Sequence, residues 1–198
     1  MPYPLIIDGG ILAGGLSRRM QGEDKGLQFF KNKPMASWIY QVLCPHVRKV
    51  IINCNRNLSE YSKISADITS DTINGFAGPL AGIVSIMEVS DADYFLICPC
   101  DTPLLKQDFS KKMLNFLSSE RSLDSSKPLL FAVIAGGKQQ PLHLCISKEY
   151  KNSLKCYLQN GEHRVMQWMN ENNVSWLDFT DQAESFKNFN TINEMNTY

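Results

Sequence analysis

Two basic side chains follow a glycine pair near the start of the chain. Gly14 and Gly15 stand directly after an apolar run that ends at Leu12 and Ala13. Glycine lets the backbone approach a ligand closely and turn its amide N–H groups towards an anion. The neighbouring Arg19 and Lys25 could bind phosphate oxygens, Arg through paired hydrogen bonds and Lys as a point charge. The stretch is therefore a candidate phosphate site, although neither the P-loop nor the Gly-x-Gly-x-x-Gly spacing is present. A strand-to-helix loop with solvated charges is the alternative.

A carboxylate at the end of another apolar run is the candidate metal ligand. Asp101 stands between Pro99 and Pro103, whose rings fix the backbone φ angle and restrict where the carboxylate can point. Mg²⁺ commonly takes one or two protein carboxylates and completes its coordination with phosphate and water. Capping of the next turn by the Asp101 side chain is the alternative interpretation.

Two further polar residues are candidates for contact with a nucleotide. Asn53 follows an apolar run, and Asp71 lies in a short polar stretch farther along the chain. Side chains of this kind can read a nucleobase edge or a ribose hydroxyl through directed hydrogen bonds. Turn or cap formation is the alternative, and spacing alone favours it. Between Gly75 and Gly82, glycines precede a helix that starts at Pro79, which could seat a ligand or form a packed turn.

Short β-branched runs alternate with helical patterns around these candidates. We predict strands over 5–12, 49–54, 64–69, 93–98, 129–135, 142–146 and 174–179, and helices over 35–43, 80–88, 109–118, 149–159 and 165–172. This alternation predicts an α/β fold with three layers, in which a mainly parallel twisted sheet has helices on both faces. The strand pair within 129–146 is expected to add a small antiparallel element at the edge. Ligands of such sheets bind beyond the carboxyl ends of the strands, where the candidates lie.

Length and charge limit the possible functions. The 198 residues are expected to form one domain, 1–198. Twenty Lys and Arg balance twenty Asp and Glu, so no overall field attracts nucleic acid or an anionic membrane. No apolar run approaches the roughly 20 residues of a spanning helix, and the first residues lack the basic region of a signal peptide. Six cysteines without a Cys-x-x-Cys motif are expected to be reduced and mostly buried, which favours the cytoplasm. The histidines are expected to be structural.

Taken in order, these segments resemble one family, the molybdenum cofactor guanylyltransferases. The resemblance runs through 12–15, 19–20, 24–27, 53–56, Asp71, 78–82, 98–103, 161–162, 164–166 and 189–191. It implies a Rossmann-like nucleotidyltransferase fold. It also implies transfer of GMP from GTP to the terminal phosphate of molybdopterin or its molybdenum form, with Mg²⁺ as cofactor and pyrophosphate as the second product.

The resemblance implies roles for individual residues as well. The residues expected to bind GTP are Leu12, Ala13, Gly14, Gly15, Lys25, Asn53, Asp71 and Asp101. Asp101 is also the expected metal ligand, and it is expected to be catalytic together with Arg19 and Lys25. Arg164, Asn188 and Asn190 are expected to hold the pterin. GTP and molybdopterin are the implied small-molecule partners. Further implied partners are other cofactor-biosynthesis proteins and apo-molybdoenzymes or their chaperones. Binding to nucleic acid or to a membrane is not expected.

Two other functions stay open. A nucleotidyltransferase of the same architecture could act on a sugar phosphate or another phosphorylated acceptor. A carrier of nucleotide or pterin could bind without catalysis. Asp101 together with Arg19 and Lys25 argues against the carrier, because carrying a nucleotide needs no metal ligand over its phosphates.

Overall fold

A computed structural model describes residues 5–15, 24–73, 78–190 and 194. The strands are β1 (Ile7–Leu12), β2 (Phe29–Phe30), β3 (Lys33–Pro34), β4 (Val50–Asn53), β5 (Asp67–Thr69), β6 (Tyr94–Pro99), β7 (Leu130–Ala135), β8 (Lys138–Ser147) and β9 (Ser175–Asp178). The α-helices are α1 (Met35–Leu43), α2 (Leu58–Tyr61), α3 (Pro79–Glu88), α4 (Phe109–Leu123), α5 (Lys151–Gln159) and α6 (Val165–Glu171). Short 3₁₀ helices cover Lys25–Leu27, Lys148–Tyr150 and Thr180–Phe186.

The central sheet has seven strands in the order β5-β4-β1-β6-β8-β7-β9. Strands β5, β4, β1 and β6 pair in parallel, and β7 pairs in parallel with β9. Only β8, among the strands of this sheet in the described residues, runs against its neighbours β6 and β7. The predicted mainly parallel α/β fold is confirmed. The position of the β7–β8 pair is a correction, because β9 lies outside it and forms the edge of the sheet.

Apolar side chains cover both faces of the sheet. On one face, α1 and α4 pack through residues such as Ile39 and Phe109. On the other face, α3, α5 and α6 pack through residues such as Val84, Leu154 and Trp168. Strand β1 is buried between two parallel neighbours, so its carboxyl end is held from both sides. The sheet is therefore a rigid base for the loops that follow β1, β4 and β6.

Helix α4 extends beyond its predicted end. The prediction stopped at residue 118, whereas the helix ends at Leu123. Its last turns are polar and exposed, so they lack the apolar period that identifies a helix in a sequence. The hydroxyls of Ser118 and Ser122 donate to the carbonyls of Leu114 and Ser118, one turn back along the helix.

The cysteines are free thiols. Cys54, Cys98, Cys100 and Cys145 are buried, whereas Cys44 and Cys156 are exposed. Burial raises the pKa of the Cys54 thiol to about 11, so this group is protonated at neutral pH. Within the described part of the chain, the helices are too short or too polar to cross a membrane.

Candidate functional site

Three parallel strands end side by side at one edge of the sheet. Leu12, the last residue of β1, is in register with Asn53 of β4 on one side and Pro99 of β6 on the other. The Ala13 N–H donates to the Asn53 carbonyl at 2.8 Å, and the Cys100 N–H donates to the Leu12 carbonyl at 3.1 Å. The loops that carry the predicted residues therefore start from neighbouring points.

The first group of side chains at this edge is the amide–carboxylate cluster, formed by Gly14, Asn53, Asn55 and Asp71. The Asn53 amide donates to Asp71 Oδ1 at 3.0 Å, and the Asn55 amide donates to Asp71 Oδ2 at 2.7 Å. The same Asn55 nitrogen lies 3.1 Å from the Gly14 carbonyl oxygen. The Asp71 N–H donates back to Asn55 Oδ1 at 2.9 Å. The structure thus joins the predicted Gly14, Asn53 and Asp71 through Asn55.

Close packing fixes the Asn53 side chain, which is 2% exposed. A Cβ atom at Gly14 would lie 2.9 Å from Asn53 Oδ1, and one at Gly82 in α3 would lie 2.5 Å from the same atom. Both distances are shorter than ordinary van der Waals contact. Glycine at these two positions accommodates the close approach of Asn53 and, at Gly14, of Asn55 Nδ2 at 2.8 Å as well, a packing reason that the sequence did not reveal.

The second group is the ion-pair cluster, formed by Lys25, Asp101, Phe189 and Asn190. The Lys25 ammonium lies 2.5 Å from Asp101 Oδ2 and 2.7 Å from Asn190 Oδ1. The Phe189 N–H donates to the Asp101 carbonyl at 2.9 Å, and the Phe189 ring is fully buried, 5.1 Å from the Phe30 ring centre. The end of the chain thus crosses the loop after β6 and contacts both members of the ion pair.

Asp101 has the chemistry of a metal ligand. Its Oδ1 atom is buried and has no hydrogen-bond partner among the residues that the structure describes, although its Oδ2 atom pairs with Lys25. A buried carboxylate oxygen without a partner requires an explanation, and a bound cation supplies one. Among the described residues, no three His, Cys, Asp or Glu side chains are grouped to hold a metal. The arrangement fits Mg²⁺, which is held by few protein groups and by substrate phosphates.

Asp24 anchors the segment that carries Lys25. Its side chain is nearly buried, and it accepts hydrogen bonds from the Tyr61 hydroxyl at 2.5 Å and the Asn57 amide at 3.1 Å. The Arg56 guanidinium lies 3.4 Å from the same carboxylate. A Cβ atom at Gly26 would collide with the Tyr61 hydroxyl, so the chain passes directly over this ring. These contacts hold the backbone of Lys25 in place.

A buried histidine contacts the loop after β6. The hydroxyl of Thr102, next to Asp101, lies 3.0 Å from His143 Nε2, and both side chains are buried. The ring of His143 packs edge-on against Phe109 and Phe186. Burial lowers the pKa of His143 to about 3, so the ring is neutral at physiological pH. This residue is structural, in agreement with the prediction from the sequence.

The remaining predicted site residues make no described contact with either cluster, or lie outside the described residues. Arg19 falls in the latter class. Gly15 has open space where a Cβ would stand. Arg164 is exposed before α6, where its carbonyl accepts a hydrogen bond from the Tyr157 hydroxyl, and Asn188 is exposed beside Phe189. The proposed contact of these two residues with the pterin stays a prediction.

Sequence reasoning gave no role to Asp24, Asn55 or Phe189. Asn55 looks like an ordinary turn residue in the sequence, and Phe189 like an isolated apolar residue among asparagines. The one available signal was that all three lie in the stretches that resemble the family. Their place in the site follows only from contacts with residues far away along the chain.

Comparison with known proteins finds relatives along nearly the whole chain. The model of a family described as the MobA-like NTP transferase domain matches residues 9–174. The molybdenum cofactor guanylyltransferase of Shewanella sediminis is 39% identical over 188 residues, which cover 94% of this chain and 92% of that protein. The enzyme of the same name from Shewanella putrefaciens is 36% identical over 192 residues, covering 96% and 95% of the two chains.

Solved structures share the fold. Molybdopterin-guanine dinucleotide biosynthesis protein A from Archaeoglobus fulgidus superposes with a TM-score of 0.74 at 18% identity, covering 96% of this chain and 95% of that one. The 4-diphosphocytidyl-2C-methyl-D-erythritol synthase from Anaerococcus prevotii gives a TM-score of 0.67 at 11% identity, covering 98% and 94%. At such low identity the likeness concerns the fold alone.

Proposed function

Because the chain belongs to the family of molybdenum cofactor guanylyltransferases, we propose that it transfers GMP from GTP to the terminal phosphate of molybdopterin or its molybdenum form. The observation that carries this proposal is Asp101 Oδ1, which is buried beside the Lys25 ammonium and has no hydrogen-bond partner in the described part of the chain. A carboxylate with one oxygen left for a metal, beside a cation that can turn to phosphate, suits a nucleoside triphosphate and its metal. The proposal takes 1–198 as one catalytic domain that acts in the cytoplasm.

The reaction requires two anions to approach each other. A phosphate oxygen of the acceptor forms a bond to the α-phosphorus of GTP, and the bond from that phosphorus to the bridging oxygen of the leaving pyrophosphate breaks. A phosphate is already ionised at neutral pH, so no general base is needed. The protein has to align the two molecules and reduce their repulsion. Lys25 and Arg19 are the residues we assign to the second task.

Mg²⁺ is the cofactor we propose, with Asp101 as its protein ligand. When bound, it would neutralise phosphate charge and polarise the α-phosphate. In the protein itself, the Lys25 ammonium neutralises Asp101 at 2.5 Å. Asn190 Oδ1 accepts from the same ammonium and offers Lys25 a second partner if it leaves Asp101 for a phosphate.

The amide–carboxylate cluster is our candidate for binding the base. Asp71 is partly exposed, and each of its carboxylate oxygens already accepts from one asparagine amide. A carboxylate oxygen can accept further hydrogen bonds. Guanine presents two donors side by side, N1–H and the 2-amino group, whereas adenine presents an acceptor at N1. Asp71 therefore favours guanine over adenine. The backbone of Gly14 and Gly15 is then assigned to the phosphates.

The acceptor is proposed to lie on the other side of the ion-pair cluster. Asn190 contacts Lys25, so a pterin held by Asn188, Asn190 and Arg164 would have its phosphate near the nucleotide. Proteins that deliver molybdopterin or receive the finished cofactor, among them apo-molybdoenzymes and their chaperones, are the proposed partners of the chain.

A panel of nucleotides and acceptors tests the proposal. Pyrophosphate release is measured with GTP, ATP, CTP and UTP, each with and without molybdopterin and with and without Mg²⁺. We expect release only with GTP, molybdopterin and Mg²⁺ together. A sugar phosphate that replaces molybdopterin at equal rate would assign the chain to another acceptor. GTP binding without any release of pyrophosphate would assign it to the carriers.

A further inference from the structure

We infer that Asn55 is the positioning residue that sets base selectivity, by holding the Asp71 carboxylate in the orientation that reads guanine. The inference rests on the proposed function, since it assumes that Asp71 faces the base. Asn55 lies in the loop after β4, is exposed, and is not among the residues expected to bind GTP. Its importance comes from the contacts that its side chain makes.

One amide group joins the loops after three strands. Asn55 Nδ2 donates to the Gly14 carbonyl at 3.1 Å, in the loop after β1, and to Asp71 Oδ2 at 2.7 Å, beyond β5. Asn55 Oδ1 accepts the Asp71 N–H at 2.9 Å. The side chain therefore holds Asp71 at both its backbone and its carboxylate. Rotation of the Asp71 side chain would break at least one of these contacts.

Asn53 completes the arrangement but does not replace Asn55. Its amide donates to the other carboxylate oxygen, Asp71 Oδ1, at 3.0 Å. Packing against Gly14 and Gly82 fixes Asn53, as described above. Without Asn55, the carboxylate would keep one donor and could turn about it. Selectivity would then fall, because recognition of two adjacent guanine donors requires both oxygens at defined positions.

Inosine triphosphate is the probe that isolates this effect. Its base keeps N1–H but lacks the exocyclic 2-amino group, so it loses one of the two donors offered to Asp71. A hydrogen bond to a charged group contributes about 1.5–3 kcal/mol, which corresponds to about tenfold to a hundredfold in affinity. The unaltered protein is therefore expected to bind GTP at least about tenfold more tightly than inosine triphosphate.

Two variants of Asn55 remove different parts of the interaction. Asn55→Ala removes all three contacts, and Asn55→Asp keeps the acceptor for the Asp71 N–H but places a carboxylate against Asp71 and the Gly14 carbonyl. The control is Asn172→Asp, because the Asn172 amide donates to Trp168 and accepts from Ser153, away from the residues of the site. Thermal melting shows that each variant is folded.

The measurement is the ratio of the dissociation constants of inosine triphosphate and GTP, by calorimetry with Mg²⁺. We expect both Asn55 variants to reduce this ratio by about fivefold to tenfold, and Asn172→Asp to leave it unchanged. Equal weakening of both nucleotides, or an unchanged ratio in both variants, would make Asn55 a structural residue only and overturn the inference. Absence of any preference in the unaltered protein would instead overturn the guanine contact of Asp71, and the inference with it. If Asn55→Ala does not fold, the isosteric Asn55→Asp gives the answer.

Discussion

The amide–carboxylate cluster and the ion-pair cluster lie at the same edge of the sheet, yet they are completed to different degrees. Both carboxylate oxygens and the backbone N–H of Asp71 have asparagine partners. Asp101 has Lys25 on one oxygen, whereas its other oxygen is buried and finds no hydrogen-bond partner within residues 5–15, 24–73, 78–190 and 194. The hydrogen-bonding groups of Asp71 are therefore paired within the protein, whereas Asp101 keeps one buried carboxylate oxygen for the cation that we propose.

This difference matches the tasks proposed for the two clusters. A group that distinguishes bases gains from a fixed orientation, because a mobile acceptor would adapt to the wrong base. A group that binds a metal and a triphosphate has to exchange partners as they arrive. The loop after β4 serves both, since Asn55 contacts Asp71 while Arg56 and Asn57 contact Asp24 beside Lys25.

The largest effect is expected from removal of the Asp101 carboxylate. Asp101→Ala should lower turnover by a factor of about a thousand or more, because the proposed protein ligand of the metal is lost. GTP binding through the amide–carboxylate cluster should persist, so the two clusters would be separated. Pyrophosphate release at ordinary Mg²⁺ concentration measures the first effect, and calorimetry with GTP measures the second.

The matched control for Asp101 is Asp108→Ala, which removes an exposed carboxylate paired with Gln182 and Lys112. It should leave turnover close to normal. A near-normal rate for folded Asp101→Ala would refute the assignment of Asp101 as metal ligand.

Removal of the Lys25 ammonium should have the next largest effect. Lys25→Ala is expected to cost about 2–4 kcal/mol of transition-state stabilisation, as does the loss of one preorganised donor in other active sites. The measurement is kcat/KM for GTP at saturating acceptor. Lys63→Ala is the control, because Lys63 forms an exposed ion pair with Glu60. Unchanged catalytic efficiency in Lys25→Ala would exclude this residue from the reaction.

A single methyl group at Gly82 should disturb the amide–carboxylate cluster through Asn53, and it would also lie 2.9 Å from Leu12 Cδ2. Replacement of glycine by alanine inside a helix usually stabilises it by about 1 kcal/mol. In α3, however, the new Cβ would lie 2.5 Å from Asn53 Oδ1 and displace the amide that supports Asp71. We expect Gly82→Ala to weaken GTP binding about tenfold, with turnover at saturating GTP nearly unchanged. Normal affinity together with a raised melting temperature would show that Asn53 adapts.

The two clusters also differ in how far the sequence predicted them. The ends of β1, β4 and β6 were located within one or two residues, because buried parallel strands are short, β-branched and apolar. Their shared edge follows from the parallel sheet, so the neighbourhood of Gly14, Asn53 and Asp101 was predictable. The resemblance to a family then supplied the expected roles of these residues.

The remaining features depend on contacts that no local pattern encodes. The Tyr61 hydroxyl, rather than anything near Asp24 in the sequence, holds the Asp24 carboxylate inside the protein. Phe189 reaches Asp101 from the far end of the chain. Strand β9 pairs with β7 and forms the edge strand of the sheet, so the β7–β8 pair lies inside the sheet and not at its edge. The sequence contains no pattern that predicts this pairing.

The smallest effect is the pH dependence of the unfolding free energy that arises from the buried His143. The pKa of His143 is about 3 in the folded protein, against an ordinary value of 6.5. Between these values the unfolded chain binds a proton that the folded protein does not, so His143 favours unfolding increasingly as the pH falls through this window. Above about pH 6.5 its contribution is constant. The slope from this one group is at most about 1.4 kcal/mol per pH unit.

Urea unfolding at several pH values between 5 and 7.5 measures this slope. His143→Gln should flatten the fall in unfolding free energy below pH 6.5, since the side chain no longer titrates, whereas His163→Gln, which alters an exposed histidine, should not. Identical slopes in the unaltered protein and His143→Gln would mean that His143 becomes protonated without unfolding, which would contradict a ring that burial keeps neutral.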